Sequence, residues 1–435
     1  MFSSVLSLLS SLESMHAGKK NKLFYNFISL GIVQALITLL QLVVIPHVIK
    51  KIGIDGFGVV ALAQVVILYL SAFTDYGFNQ NATREISLYK TDRIRMSEIF
   101  FRVLFSKLLL CLLAFIILLI LLIVVPVFRA HTLLYLMAFI YVVGQTCLVT
   151  WFFQGLEKMQ FIALLTLYGR ILFVVLVFVF IKTKEQDFLF LFFLGTGTLI
   201  AGVASIFTAY RMQKLEFIKP SLADIMQELR EGWHITVANL SSYTCQYANI
   251  FVLRMFTNDL LVGYYSIAER VFFTTKQVLV MFSQVAYPRV CRLVENGKEY
   301  IITFWKQIYF PFLICVLSGS LLLFIFSPQV LYFFIRDEYF HSVFFLRMLC
   351  IVSVIVCLNI PATLTLLAMH HKKSYSRIVT LGMMVNIVSN VVLVYLFKAT
   401  GTIISIFITE SFIMTGLSLE VIRYFKLDEN SFKPV

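Results

Sequence analysis

Residues 108–125, LLLCLLAFIILLILLIVV, form an apolar run without a charged, amide or hydroxyl side chain. About 20 apolar residues in a helix cross the ~30 Å hydrocarbon core of a bilayer, so this run predicts a transmembrane helix. The whole chain of 435 residues shares its character, with 60% hydrophobic residues, 14% charged residues and a mean hydropathy of +0.90. A soluble domain carries about 25% charged residues. The composition therefore predicts a polytopic α-helical membrane protein and excludes disordered, coiled-coil and disulfide-scaffold classes.

Apolar stretches of this kind recur along the chain, and we interpret each as one transmembrane helix. The twelve predicted spans are residues 23–48, 57–81, 99–126, 132–153, 161–181, 188–210, 233–256, 264–287, 301–326, 342–369, 378–397 and 402–422. The predicted domains are a 1–22 cytoplasmic segment, a 23–210 six-helix bundle, a 211–232 cytoplasmic linker, a 233–422 six-helix bundle and a 423–435 tail. Met15 is a candidate for the native start, because the patterned sequence begins at Lys19.

The distribution of Lys and Arg orients these spans. With the N-terminus in the cytoplasm, the cytoplasmic segments hold 21 of the 36 Lys and Arg residues and the external loops hold 7. Cytoplasmic loops of membrane proteins carry this excess, so both termini are predicted to be cytoplasmic. The same distribution accounts for the net charge of +13 without a nucleic-acid partner, since nucleic-acid binders cluster their cations on one face.

The predicted linker has the features of an interfacial amphipathic helix. Ser221 and Asp224 stand at the spacing of a capping box. The apolar residues that follow form one stripe on a helix: Leu222, Ile225, Met226 and Leu229. We expect this helix to bridge the two bundles.

The two halves of the chain resemble each other. A shift of 205 residues aligns Phe57–Gln64 with Val262–Glu269 and pairs Gln34 with Asn239, Gln41 with Gln246, and Arg84 with Arg289. A shift of 214 residues pairs Gln145 with Asn359. Because each half has six spans and starts inside, the repeats are parallel. Transporters built in this way hold their substrate between the halves, near the bilayer midplane.

Polar residues inside spans mark a pathway, because their burial in lipid is costly. The candidate cavity residues are Gln34, Gln41, Arg170, Asn239, Gln246, Arg254, Arg270 and Lys276, and the candidate ion-coupling residues are Asp75, Glu269 and Glu410. For single amides the alternative is hydrogen bonding between helices, and for Arg254 it is snorkelling to the interface. Lys276 lies closest to mid-membrane. Glu269, seven residues earlier on the same helix face, is its expected partner, whereas Lys107 is expected to snorkel.

Motifs for chemistry are missing from the sequence. It contains no HExxH, P-loop or GxGxxG pattern, and none of its seven cysteines forms a CxxC pair. We therefore expect no catalytic residue, no metal and no cofactor, and a protein that is not an enzyme.

Three stretches resemble the O-antigen flippase family, the polysaccharide-transporter branch of the multidrug/oligosaccharidyl-lipid/polysaccharide exporter superfamily. They are GFGVVALAQ at 56–64, DYGFN at 75–79 and ATREI at 82–86; WFFQGLE at 151–157 and KSYS at 373–376 look like further signatures of the family. The resemblance spans residues 20 to 425.

This resemblance implies two six-helix bundles in a V shape, in the bacterial inner membrane, around a cationic cavity. The implied cargo is an undecaprenyl-diphosphate-linked oligosaccharide, an O-antigen or related repeat unit. Alternating access coupled to H⁺ or Na⁺ is the implied mechanism. Besides membrane lipids, a polysaccharide polymerase and a chain-length regulator are implied partners.

Three other functions stay open at this point. A drug:cation antiporter of the same superfamily needs an anionic or apolar cavity, yet the spans hold 8 Lys and Arg against 4 Asp and Glu. A lipid II-type flippase differs in cargo alone. A membrane polysaccharide polymerase needs large external loops, whereas the longest predicted one, 327–341, has 15 residues.

Overall fold

The computed structural model describes residues 19–335, 339–369 and 371–427, and within these ranges the chain is helical without β-strands. The helices are α1 (Lys19–Asp75), α2 (Phe78–Leu88), α3 (Arg93–Val124), α4 (Pro126–Arg129), α5 (Thr132–Cys147), α6 (Thr150–Gly155), α7 (Met159–Phe180), α8 (Asp187–Gln213), α9 (Leu222–Phe256), α10 (Asp259–Asn296), α11 (Lys298–Phe304), α12 (Phe310–Ile325), α13 (Ser327–Phe334), α14 (Phe340–Ala368) and α15 (Lys372–Leu427). Met15 and the end of the predicted tail lie outside the described residues.

The twelve predicted spans lie mainly on helix, and two of them, 57–81 and 132–153, are interrupted at residues 76–77 and 148–149. Two of the long helices hold two predicted spans each, because their backbone breaks in the middle. In α1 the break is at Gly53, with φ 82°, and in α15 it is at Lys398, with φ 53° and ψ −132°. Eight helices of the described ranges are long and apolar enough to cross a membrane. The number of crossings and their orientation stay predictions.

The predicted linker helix is part of a longer helix. After α8, Lys214 adopts the left-handed conformation with φ 49°, and α9 begins at Leu222. The capping box is confirmed, since Ser221 Oγ accepts from the Asp224 N–H at 3.2 Å and Asp224 Oδ2 accepts from the Ser221 N–H at 2.9 Å. The Ser221 hydroxyl also donates to Asp224 Oδ2 at 2.6 Å, and this bond together with that from the Ser221 N–H lowers the pKa of the Asp224 carboxyl. Since α9 continues to Phe256, it contains both the expected interfacial helix and predicted span seven.

The two halves of the chain meet along the second arm of α1 and α10. A Cβ added to Gly58 would overlap the Asp259 carbonyl oxygen, and one added to Gly263 would overlap the Ile54 carbonyl oxygen. Only hydrogen atoms on these two Cα atoms leave room for such a close approach. A buried apolar core continues across this contact, from Val60 on α1 to Tyr265 on α10. The contact lies at the predicted external ends of spans two and eight.

Candidate functional site

A cavity of about 420 Å³ lies between the two halves, as the repeat predicted for a substrate site. From the first half, α1, α5, α7 and α8 contribute to its wall, and from the second half α9 and α10. Its polar lining residues are Thr38, Gln41, Gln64, Tyr141, Arg170, Tyr247, Ser266, Glu269, Arg270, Thr274, Lys276 and Gln277.

The charged side chains of the cavity wall are three cations, Arg170, Arg270 and Lys276, and one carboxylate, Glu269. One guanidinium nitrogen of Arg170, Nη1, is buried without a hydrogen-bond partner among the described residues. Arg270 donates to the neutral Gln64 Oε1, and its guanidinium lies 5.0 Å from the centre of the Phe57 ring. The cavity lining therefore holds three cations against one carboxylate, and Glu410, which lies outside the lining and next to Lys276, offsets part of this excess.

Lys276 acts on Glu269 electrostatically, as expected for a weak interaction along one helix face, but the ion pair of Lys276 is formed with another carboxylate. Glu269 is buried, and the hydroxyl of Tyr265, one turn earlier on α10, donates to its Oε1 at 3.0 Å. Seven residues along a helix separate two Cα atoms by about 10.5 Å, so a shared face does not bring the side chains into contact.

Lys276 pairs instead with Glu410, which reaches it from α15. The Lys276 Nζ and Glu410 Oε1 atoms lie 3.9 Å apart. The amide of Asn359 on α14 donates to the other carboxylate oxygen, Glu410 Oε2, at 2.9 Å. Lys276, a candidate for cargo binding, and Glu410, a candidate for ion coupling, thus form one cluster with the Asn359 amide from a third helix.

Arg254 does not line the cavity. Its guanidinium donates to both carboxylate oxygens of Asp259, at 2.5 and 3.0 Å, and to the Thr257 carbonyl oxygen at 3.0 Å. These contacts join the end of α9 to the start of α10 at the predicted external side. Arg254 therefore stabilises a helix connection, and the structure does not bring it to the other candidate cations.

Asp75 belongs to a buried cluster within the first half. Lys107 Nζ donates to Asp75 Oδ1 at 2.9 Å and to the Gln145 carbonyl oxygen at 3.3 Å. The Lys107 side chain is 1% exposed, so the expectation that it snorkels to the interface is wrong. A charge buried this deeply needs such a partner, and Asp75 supplies it. Neither residue lines the cavity.

Several lining residues were not among the sequence-predicted candidates, including Tyr141, Tyr247, Phe273 and Gln277. A weak signal existed for Tyr141, which lies one turn before Gln145 and accepts a hydrogen bond from its amide at 2.9 Å. Aromatic residues are frequent both on lipid-facing and on core surfaces of membrane helices. Composition therefore could not distinguish the aromatic residues that line the cavity from the others. The side chains of Gln34, Asn239 and Gln246 lie outside the described residues, and their place in the cavity stays a prediction.

A second cavity of about 320 Å³ lies on the predicted cytoplasmic side, between α2, α3 and the start of α9. Arg102 bridges the two halves there, donating to Glu85 and to Glu228 at 2.6 Å each. The Glu228 side chain is 4% exposed and that of Arg102 is 22% exposed, so the carboxylate of this ion pair is buried. Among the described residues, no group of three or more His, Cys, Asp or Glu could hold a metal ion in either cavity.

Solved transporter structures share this fold. "Lipid II flippase MurJ, inward closed conformation" superposes with a TM-score of 0.71 at 13% identity, covering 92% of this chain and 89% of that one. An outward-facing multidrug resistance transporter of the MATE family gives 0.60 at 15% identity, covering 93% and 96%. At these identities the likeness concerns the fold, and it confirms the predicted all-helical membrane class.

Sequence comparison gives closer relatives. The "Putative O-antigen transporter" of Escherichia coli (strain K12) is 26% identical over 406 residues, which are 92% of this chain and 97% of that protein. The protein of the same name from Shigella dysenteriae is 27% identical over 396 residues, or 89% and 97% of the two chains. Residues 23–294, more than half of the chain, match the family described as "Polysaccharide biosynthesis protein". The chain therefore belongs to the polysaccharide biosynthesis protein family.

Proposed function

We propose that this protein is a flippase that moves an undecaprenyl-diphosphate-linked oligosaccharide across the bacterial inner membrane. It is a multi-pass protein of that membrane, and its relatives are named as O-antigen transporters. The observation that carries the proposal is the cationic wall of the central cavity, above all the buried Arg170 nitrogen, which has no hydrogen-bond partner among the described residues.

The charge of the cavity suits a diphosphate. An anion loses its hydration when it crosses a low-dielectric region, and cations fixed along the path offset that loss. Three lining cations stand against two carboxylates, Glu269 in the lining and Glu410 next to Lys276, and the remaining positive charge attracts such an anion. The orphaned nitrogen of Arg170 is a donor that a phosphate oxygen would satisfy.

The remaining wall suits sugars. Gln41 and Gln64 supply amides, and Tyr141, Tyr247 and Phe273 supply rings. Amides hydrogen bond to hydroxyl groups, and aromatic faces pack on the apolar faces of sugar rings. No deep, closed pocket for one sugar is required, since the cargo must be released on the far side. The lipid tail remains in the bilayer throughout.

Alternating access follows from the two-bundle architecture. In transporters built from repeats, one bundle rocks against the other around a central site. Here the halves touch at Gly58 and Gly263 on the predicted external side, and Arg102 joins them through Glu228 on the predicted cytoplasmic side. Opening either side requires one of these contacts to separate. For the coupling ion, H⁺ or Na⁺, the candidate residues are Asp75, Glu269 and Glu410.

A drug:cation antiporter fits the cavity less well. Cationic drugs would face Arg170, Arg270 and Lys276 with one carboxylate in the lining, Glu269, to attract them. Like charges in a low-dielectric site repel strongly.

A deletion of the gene in the source bacterium tests the proposed function. We expect surface polysaccharide to be lost and lipid-linked repeat units to accumulate on the cytoplasmic side, with both effects reversed by the wild-type gene. The control is a deletion complemented with Arg347→Ala, which changes an intramembrane arginine outside the cavity lining. Unchanged surface polysaccharide without accumulated repeat units would contradict the proposal.

A further inference from the structure

The pair formed by Lys276 and Glu410 joins the cavity to the second bundle. Lys276 lines the cavity and its side chain is 34% exposed, whereas Glu410 lies behind the wall and is 18% exposed. Their separation of 3.9 Å exceeds the ~2.7–2.9 Å of a tight charge-assisted hydrogen bond. The lysine is therefore held by charge attraction without a direct hydrogen bond, and an anion in the cavity has access to it.

Asn359 holds the carboxylate in place independently of the lysine. Its amide nitrogen donates to Glu410 Oε2, and its own Oδ1 is buried without a partner among the described residues. If Lys276 turned toward an anion in the cavity, Glu410 would remain on Asn359, largely buried at 18% exposure and without its cation. Such an environment favours the protonated form of a carboxyl group.

We propose that Glu410 is the resting counter-ion of Lys276, and that the diphosphate of the cargo displaces it so that Glu410 takes up one proton. This inference rests on the proposed function. The lysine stays charged and exchanges one anionic partner for another, while a proton from water in the cavity converts the Glu410 carboxylate into a carboxylic acid. For each diphosphate that binds, Glu410 on the second six-helix bundle therefore carries one proton.

The surroundings of the two cavity carboxylates favour Glu410 over Glu269 for this role. Among the described residues, the titratable groups facing Glu410 are Lys276 from α10 and Tyr375 from the first arm of α15. Glu269 has a donor on its own helix, Tyr265, and it interacts electrostatically with two cations, Arg270 and Lys276. An anion that binds Lys276 therefore removes the cation of Glu410 and leaves the hydrogen bond of Glu269 intact.

Calorimetry on the purified full-length protein tests the proposal. The probe is undecaprenyl-diphospho-N-acetylglucosamine, whose two phosphates are both esterified and do not titrate near neutral pH. Titrations at about pH 6.5, where an ordinary glutamate of pKa about 4.3 is ionised, are run in buffers of different ionisation enthalpy. We expect net proton uptake on binding, and an affinity that rises as the pH falls.

Three substitutions identify the group that takes up this proton. Glu410→Gln should lose the proton uptake and the pH dependence and bind about 5-fold more tightly, because the competing anion is gone. Lys276→Ala should bind at least ~10-fold more weakly. Glu269→Gln tests the competing carboxylate, and the proposal requires that this variant keep the proton uptake of the wild type.

The outcomes separate the two proposals. If the wild type does not bind the probe, the proposed function fails. If binding depends on Lys276 but Glu410→Gln keeps the proton uptake, or Glu269→Gln loses it, the flippase proposal stands and this inference is overturned. If Glu410→Gln does not fold, the wild type decides, because binding without proton uptake overturns the inference by itself.

Discussion

Gly58 and Gly263 occupy equivalent positions in the two repeats and lie at the point where the backbones of the two halves touch. Each glycine faces a carbonyl oxygen of the opposite half, from Asp259 and Ile54 respectively. A shift of 205 residues places one glycine on the other in the sequence alignment. The repeat is therefore visible as a symmetric contact between the two halves, at the predicted external ends of spans two and eight.

Gly58→Ala should destabilise the protein. The added methyl group would overlap the Asp259 carbonyl oxygen, and such overpacking costs about 1–3 kcal/mol. The thermal unfolding midpoint of the detergent-purified protein measures the effect. Gly319→Ala is the control, because Gly319 has open space around its Cα and the alanine should raise helix stability by up to about 1 kcal/mol. Equal midpoints for the two variants would contradict the close contact.

Arg170→Gln should reduce transport by at least ~10-fold, because a charged hydrogen bond to a phosphate is worth about 1.5–3 kcal/mol. Surface polysaccharide in the complemented deletion strain, normalised to the amount of protein in the membrane, measures it. Arg347→Ala, which is outside the cavity lining, serves as the reference. Transport equal to that of the reference would show that the orphaned nitrogen does not serve the cargo.

Lys276→Ala should abolish surface polysaccharide while the protein still inserts at normal levels. Lys276→Arg should retain part of it, since the positive charge is kept and the geometry is changed. The assay is the same complementation, with membrane content followed by immunoblotting. Normal transport by Lys276→Ala would remove this lysine from the proposed mechanism.

Arg102→Ala should destabilise the predicted cytoplasmic contact between the halves. It would remove the guanidinium that donates to the buried Glu228 carboxylate, and breaking a buried ion pair costs about 3 kcal/mol. Lys90→Ala is the matched control: the Lys90–Glu157 pair on the same side is exposed and contributes little. Thermal unfolding midpoints of the two variants should differ by several degrees. A midpoint for Arg102→Ala as high as that of Lys90→Ala would argue against a stabilising bridge.

The predicted topology is checked with reporter fusions. Fusions after residues 186 and 336 should report an external location, and fusions within the 211–232 linker a cytoplasmic one, because of the 21 to 7 distribution of Lys and Arg. A cytoplasmic signal after either residue 186 or residue 336 would contradict the twelve-span prediction.

Local properties of the sequence were sufficient to predict the positions of the helices. Apolar runs of bilayer length predicted where helix occurs, since each residue's transfer to lipid depends on its own side chain. The capping box at Ser221 was readable because its two partners lie three residues apart. The breaks at Gly53 and Lys398 fall in predicted loops between spans.

The cavity wall was predictable in part for the same reason. Helical periodicity shows which polar residues share a face, and Gln41, Glu269, Arg270 and Lys276 do line one cavity. Arg170 was found through its charge near the middle of a span.

Partners were decided by tertiary structure alone. Lys276 forms its ion pair with Glu410 and not with Glu269. Lys107, which lies near the end of its span, is buried in an ion pair with Asp75. Periodicity places a side chain on a face of its own helix, but it carries no information on which distant helix packs against that face. The residues opposite are supplied by segments far away in sequence, and the positions of those segments depend on the packing of the whole bundle.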